Sequence, residues 1–507
     1  MSKPYQEPAA GREEIRHAGG EMDGAGKWTA RERIEYFFDP GAFTEIGSHI
    51  KHLTASCAAG GEEAAAGVLA GYGRVNGRMV MAAAEDHTRP PGACGGCHCK
   101  KLSLAVDMAR EMGIPFVGMK DSGAAGPQED TDIEAHAGLL KSQILASGII
   151  PQLALLMGHC LGNQAFYPVM QDFVFQCRRT GFLGTADPAP VKTKLGAETD
   201  LAALCGVQAH AVRSGCTHVV AEDDRDCLDR AKELIAFLPQ NNREKPSRVN
   251  AGDDPYRMVP ELNDLIPENT MVSFDMHKVI RRIVDNGYFF EIMPYFAKNV
   301  IIGFARFNGR STGVAASQPD WMGGVIDCDA ADKVARFVRF CDLFNIPLVN
   351  IHDTPAFMIG PDEEWKGILR HGAKMLYAYI DATVPKVTVM VRKSFAGAYL
   401  GMCCKDTGAD LVFAWPESTV TSVGAETAAS IIFAREIKNA GNPEEVRSKR
   451  IHEYRDLYEN PYFAAQRGYV DDVIMPAETR RKICAALDLL EGKTVVRPHR
   501  KFSNINL

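Results

Sequence analysis

The chain repeats itself. The segment GYGRVNGR at 71–78 returns as GFARFNGR at 303–310, an offset of 232 residues. The same offset carries GIPFVGMKDSGA (113–124) onto NIPLVNIHDTPA (345–356), placing Asp121 over Asp353. Two residues of slippage later, IIPQLALLMGHCLGN (149–163) lies over TVPKVTVMVRKSFAG (383–397), with Pro151 over Pro385. Upstream, RERIEYFFDPGAFTEI resembles IRRIVDNGYFFEI with a small gap. Four blocks in one order describe a tandem duplication of a unit of about 230 residues, so one fold has to serve twice. The boundary is expected in PSRVNAGDDPYRMVPEL (246–262), where Pro, Gly, Asn and Asp cluster. That gives a flexible segment 1–22, a first domain 23–255 and a second domain 256–507.

Within each unit the pattern alternates. An Asn-Gly turn closes a hairpin in GRVNGRMVMAAAED and ARFNGRSTGVAAS. KLSLAVDMAREMG and ADKVARFVRFCDLF then carry apolar residues at helical spacing. A short apolar strand ends in a polar turn, a second helix follows, and a second strand ends in MGHCLGN or RKSFAGAY. Strand and helix in alternation with short loops predict an α/β fold with parallel strands, whose ligands sit at strand carboxyl ends beside helix starts. Ahead of the first repeat, Thr29 and Glu32 stand at capping-box spacing, and the helix they open is stopped by Asp39-Pro40-Gly41.

Composition narrows the function. At 507 residues, with 46% hydrophobic and 24% charged residues, the chain reads as a globular protein of at least two cores. A net charge of −7 argues against nucleic acid as a partner. No apolar run reaches the ~18 residues of a membrane helix, and the polar N-terminus lacks a signal region, so a cytoplasmic location is expected. In that compartment the 14 cysteines are expected to stay reduced. The stretch RPPGACGGCHCKK holds Cys94, Cys97, His98 and Cys99, but it lacks a second Cys-x-x-Cys pair to complete a metal site, so no metal is expected there.

Side-chain chemistry is scarce at the turns. Gly-x-Ser-x-Gly, a phosphate loop and a dinucleotide fingerprint are absent. Ser122 follows a strand in DSG, where a turn or cap role outweighs a nucleophilic one. His159 and His352 lie near the two strand ends as scattered histidines. What remains is backbone. Gly162-Asn163 and Gly397-Ala398 each follow a strand and precede an apolar helical stretch, and small residues there leave amide N–H groups to stabilise an oxyanion. Two such turns in matched repeats suggest two carbonyl-bearing ligands brought face to face.

Long blocks carry a resemblance. GKWTARERIEYFFDPGAFTEIG, GFARFNGR, ADKVARFVRFCDLFNIPLV, ILRHGAKMLYAYIDATVPKVTVMVRKSFAGAY, AWPESTV and VRPHRK resemble the carboxyltransferase subunits of biotin-dependent acyl-CoA carboxylases, transcarboxylases and decarboxylases, from about residue 20 to the C-terminus. The resemblance implies two crotonase-like ββα superhelix domains per chain and a homo-oligomer, usually a hexamer built as a trimer of dimers. It implies acyl-CoA on the N-terminal domain, and biotin on a separate carrier protein approaching the C-terminal domain, with a biotin carboxylase subunit as a further partner. Gly162 and Asn163 would then serve the thioester carbonyl, Gly397 and Ala398 the biotin ureido carbonyl. Ser122 and Gly123, in the DSG turn, and Lys100 and Lys101, at the start of the helix beside the CoA pocket, are further substrate-binding expectations.

The chain departs from the family pattern at several of these places. Asn163 replaces a glycine, Ala356 replaces the glycine of Asp-x-Pro-Gly-Phe, DSGAAGPQED lacks an arginine, and Leu400 occupies a position linked to acyl preference. These changes leave the acyl group open, with propionyl- or methylmalonyl-CoA as the default. Three other readings stay beside the first. One is the decarboxylase subunit of a sodium pump. Another is a crotonase-like hydratase or hydrolase using Glu85-Asp86 or Glu129-Asp130, and the last is a non-catalytic acyl-CoA-binding subunit.

Overall fold

The computed structural model describes residues 27–52, 64–65, 67–85, 96–121, 133–501 and 503–505. The chain divides into two compact units, Met1–Asn242 and Arg243–Leu507. The stretch 246–262 therefore lies within the second unit. Its turns are anchored there: Val249 N–H donates to the Gly309 carbonyl at 3.0 Å, Val259 N–H to Ala477 at 2.8 Å, and Arg257 pairs with Asp253 at 2.7 Å. Turn-rich composition marks bends, and these bends are tied down along the edge of one unit.

Among the described residues the first unit begins with α1 (Ala30–Phe37), capped reciprocally as its sequence predicts: Thr29 N–H donates to Glu32 Oε2 at 2.7 Å and Glu32 N–H to Thr29 Oγ1 at 3.3 Å. Then come β1 (Thr44–Ile46), β2 (Val68–Val75), β3 (Arg78–Glu85), α2 (Gly96–Met112), β4 (Phe116–Lys120), α3 (Ile133–Ala146), β5 (Gln152–Leu156), β6 (His159–Leu161), β7 (Phe173–Cys177) and β8 (Val219–Ala221). The sheet order is β1-β2-β3-β4-β5-β7-β8. Its first two junctions are antiparallel and the rest parallel. α2 and α3 bury Leu102, Val106, Ala109 and Leu139 against Met81, Ala83 and Phe116.

The second unit repeats the plan with α4 (His277–Ile283), β9 (Phe289–Ile292), β10 (Val300–Phe307), β11 (Arg310–Ser317), α5 (Cys328–Leu343), β12 (Leu348–Thr354), α6 (Ile368–Asp381), β13 (Lys386–Phe395), α7 (Ala396–Gly401), β14 (Leu411–Ala414) and β15 (Asp472–Val473). These strands follow one another in order across the sheet, and Thr419–Thr421 adds an eighth beside the end of β13.

The repetition reaches single residues. Gly71 opposes Glu45 and Gly303 opposes Glu291 in equivalent antiparallel ladders. A methyl on either glycine would meet a backbone carbonyl at 2.2 or 2.3 Å and an aromatic ring, Phe43 or Phe289, within 2.7 Å, so both must stay glycine. Both hairpins turn through Asn-Gly pairs in the left-handed region, φ 50° and 77° at Asn76-Gly77 and 52° and 73° at Asn308-Gly309. In each, a carboxylate accepts from both turn amides: Asp39 at 2.9 Å twice, Asp285 at 3.1 and 2.7 Å.

One matched pair of lysines has diverged. Lys101 on α2 is buried and pairs with Glu45 at 3.2 Å. Lys333, its counterpart on α5, is equally buried, but its ammonium donates to the carbonyls of Met293, Phe296, Ala297 and Val300 at 2.8–3.2 Å. Burial pushes the Lys333 ammonium down to about 7. Even so, four carbonyls are a set that only the three N–H groups of the protonated form can serve. Glu291, which matches Glu45, is taken by His277 at 3.0 Å.

Candidate active site

Among the described residues, each unit shows a sharp strand-to-helix turn through a left-handed residue. In the first, β6 ends with Leu161 extended, Gly162 adopts φ 73°, and a 3-10 turn runs Gly162–Ala165. In the second, β13 ends with Phe395 extended, Ala396 adopts φ 50°, and α7 follows at once. The left-handed residue swings the chain out of the sheet. First-turn amides have no acceptor inside the helix and lie at the positive end of its aligned peptides. The turn aligns Gly162 with Ala396 and Asn163 with Gly397. The expected donors Gly397-Ala398 thus stand one residue further into their helix than Gly162-Asn163. Asn163, Ala396 and Gly397 are exposed, Gly162 is half-buried and Ala398 is fully buried.

The second turn is braced from beneath. Phe357, half-buried, lies against α7 and α6: a methyl on Gly397, Gly401 or Gly372 would stand 3.4, 3.0 or 3.3 Å from its ring. Its segment is fixed by Ile326, whose N–H donates to Ala356 at 3.0 Å and whose carbonyl accepts from Met358 at 2.7 Å. His352 is fully buried on β12, and its Nε2–H donates to the Met402 carbonyl at the end of α7. Burial drives its pKa down to about 4, so the ring is neutral near pH 7 and serves as a brace. Leu400 is 44% exposed on α7, and Ala356 is half-buried beside Phe357.

Of the carboxylates expected of a hydratase, Glu85 is described and its carboxylate is committed. Glu85 is fully buried, bonded to Lys120 at 2.6 Å, to His98 at 3.4 Å and to the Asp121 N–H at 2.9 Å. Burial raises its pKa, but Lys120 and His98 outweigh burial and hold the carboxyl well below the usual range. It is a fixed anion inside the first unit. Asp121 is likewise neutralised, by Lys27 at 3.1 Å and Arg33 at 3.0 Å, and Arg33 also binds Asp224 at 2.8 Å. Its counterpart Asp353 pairs with Arg392 at 2.7 Å and accepts from the Lys393 N–H at 2.9 Å. His159, half-buried on β6, has its pKa lowered by burial and then by Lys27.

The cysteine-rich stretch is helical where it is described. α2 is already helical at Gly96, ahead of the expected helical pattern, so Cys97, His98 and Cys99 occupy consecutive positions about 100° apart around its axis. His98 turns to Glu85, and Cys99 stands 3.6 Å from His136 and from Tyr167. Lys100 is exposed. Lys101 points inward to Glu45. Ser122, Gly123, Cys94, Asp86, Glu129 and Asp130 lie outside the described residues. Sequence reasoning missed the turn residue Ala396, the bracing ring of Phe357 and the Arg33 network. An alanine in the left-handed region leaves no compositional signal, whereas Phe357 stands inside the altered HDTPAF motif.

Comparison with known proteins fits this geometry. The family model of the carboxyl transferase domain matches residues 22–505. Methylmalonyl-CoA decarboxylase subunit alpha of Propionigenium modestum is 41% identical over 513 residues, spanning 100% of this chain and 99% of that protein. The methylmalonyl-CoA carboxyltransferase 12S subunit of Propionibacterium freudenreichii subsp. shermanii is 42% identical over 513 residues, 99% of this chain and 97% of that one. A crystal structure of transcarboxylase 12S, a hexamer assembly with methylmalonyl-coenzyme A and methylmalonic acid bound, superposes with TM-score 0.95 at 41% identity, covering 98% of this chain and 97% of that chain. The chain belongs to the carboxyl transferase domain family, with the crotonase-like α/β fold in tandem. It is an enzyme, a carboxyltransferase subunit of the acyl-CoA carboxylase, transcarboxylase and decarboxylase group.

Proposed function

We propose that this chain transfers a carboxyl group between biotin on a separate carrier protein and the α-carbon of an acyl-CoA of the propionyl or methylmalonyl class. The observation that carries this reading is the pair of matched turns, each opening on amides of small or uncharged residues, Gly162-Asn163-Gln164 in the first unit and Ala396-Gly397-Ala398 in the second. In the first turn, the N–H groups of Gly162 and Asn163 bind the thioester oxygen, where negative charge accumulates as the α-proton leaves. Preorganised donors at such a position are worth ~3–4 kcal/mol of barrier each. The exposed Asn163 side chain shapes the acyl end in the first unit, and Ser122, Gly123 and Lys100 complete the CoA contacts.

On the second turn, whose helix packs on the Phe357 ring, Gly397 and Ala398 supply the N–H donors for the ureido carbonyl. Biotin, when bound, supplies the carboxyl group and takes up the α-proton. The protein supplies orientation and charge stabilisation. The buried ionisable groups described near the strand ends are committed elsewhere, Glu85 to Lys120 and His352 to Met402. The assembly we propose is a homohexamer working in the cytoplasm with a biotin carboxyl carrier protein and a biotin carboxylase subunit. Among the described residues no helix is long and apolar enough to cross a membrane.

The test uses purified protein, free biotin and a panel of malonyl-, methylmalonyl- and longer carboxyacyl-CoA thioesters, scored for biotin-dependent loss of carbon dioxide by mass. Turnover of one member, abolished by Gly397→Pro with acyl-CoA binding retained, supports the reading and names the acyl group. Binding without turnover across the panel would reject it in favour of a non-catalytic subunit.

A further inference from the structure

We infer that Phe357 is the positioning residue of the second turn, the part that sets where the Gly397 and Ala398 amides point; this rests on the reading of that turn as the biotin side of the site. Gly397 and Gly401 are four residues apart and so share one face of α7. The Phe357 ring lies along that face and reaches Gly372 on α6 with its other edge. A methyl at Gly401 would stand 3.0 Å from Cζ and one at Gly372 3.3 Å from Cε1, both tighter than ordinary contact. Glycine at these positions lets a flat ring approach two helix backbones at once. α7 therefore rests on the ring, and the ring's depth decides the height of the turn above the sheet.

The ring is itself held from the other side. Ile326 bridges Phe357 in parallel and brackets it with two backbone hydrogen bonds, to Ala356 and from Met358. Asn299 fixes the residues flanking Ile326, donating to the Val325 carbonyl at 2.7 Å and to Asp327 at 3.1 Å. The chain of contact runs from Asn299 through Ile326 and Phe357 to α7, with His352 pinning the far end of that helix through Met402. A misplacement near 1 Å in a catalytic donor costs up to ~100-fold, so a change of ring volume is read directly in the rate.

The experiment is a size-compensation cycle on the full chain: Phe357→Ala, Phe357→Leu, Gly401→Ala and the double variant Gly401→Ala with Phe357→Leu. The assay is biotin-dependent decarboxylation of the preferred carboxyacyl-CoA, with acyl-CoA binding measured separately by calorimetry. Phe357→Ala is expected to lower kcat ~10- to 100-fold while acyl-CoA affinity stays within about twofold. Gly401→Ala is expected to lower kcat on its own, and Phe357→Leu to restore most of that loss in the double variant. Should Phe357→Ala fail to fold, the Leu variant and the double variant decide. The inference is overturned if the Phe357 variants leave kcat unchanged, if acyl-CoA affinity falls in step with kcat, or if the double variant shows only the product of the single losses. Gly397→Pro separates the two levels. Transfer surviving it rejects the site reading, whereas transfer lost with it but untouched by Phe357 changes rejects the positioning role alone.

Discussion

The two units share a backbone and differ in what they bury. At the end of the third strand, the first unit places Glu85 beside Lys120 and His98, a fully buried charged cluster. The same three places in the second unit, 232 residues on, hold Ser317, His352 and Ala330. There the Ser317 hydroxyl and His352 Nδ1 are buried without a partner among the described residues. The next residue keeps its carboxylate in both, Asp121 and Asp353, but the compensating cation arrives by different routes. Arg392 reaches Asp353 from the neighbouring strand. Its counterpart is Gly158, where a methyl would fall 1.6 Å from Asp121 Oδ1, and the cations come instead from Lys27 and from Arg33 on α1. Duplication has kept the turn amides and the strand-end carboxylate. The source of positive charge was free to move.

The largest test of that contrast is Lys120→Met. It leaves Glu85 buried and unpaired except by His98, so the first unit should lose about 3–5 kcal/mol, seen as a separate early transition in urea. Retention of a single transition would mean that the pair is not what holds this unit. Next, Gly158→Ala forces Asp121 away from Lys27 and Arg33, and overpacking of this kind costs about 1–3 kcal/mol. Hydrogen exchange across β4 and β5 reports it.

A pH series sharpens the comparison further. Glu85 is held below its ordinary value, so its contribution is present above the carboxylate range and fades as pH falls through it. His277 is raised, first by its bond to Glu291 and against the pull of burial, with Asp275 adding 2.7 Å away. Its contribution is full below the ordinary histidine value and is lost as pH climbs through the raised one. Acid should therefore loosen the first unit first and mild alkali the second, and His277→Gln should remove only the alkaline slope. Smallest of all, Ser317→Ala removes an unpaired hydroxyl and should shift stability by less than about 1 kcal/mol.

Local chemistry was readable in the sequence and long-range pairing was not. Asn76-Gly77 and Asn308-Gly309 announce left-handed hairpin turns, and Thr29 with Glu32 announces a capping box, because each signal lies within four residues. The fold class followed from alternation, and the two turn segments from the duplication. Lys101 reads from its neighbours as an exposed helix-start cation, and only the sheet brings it to Glu45, 56 residues away. Arg33 meets Asp224 across 191 residues, a distance no spacing rule covers. The left-handed turn at Ala396 is not legible in the sequence, because alanine there takes a conformation usually left to glycine.

Lys333 is in effect a resident monovalent ion. Four carbonyls converge on its protonated ammonium as they would on potassium, and its tether holds that charge in place without drawing an ion from the medium. The loop 293–300 is thereby spared any dependence on dissolved salts. Lys333→Ala would hand that dependence back, giving a protein whose melting temperature climbs with added ammonium and whose parent is indifferent to it.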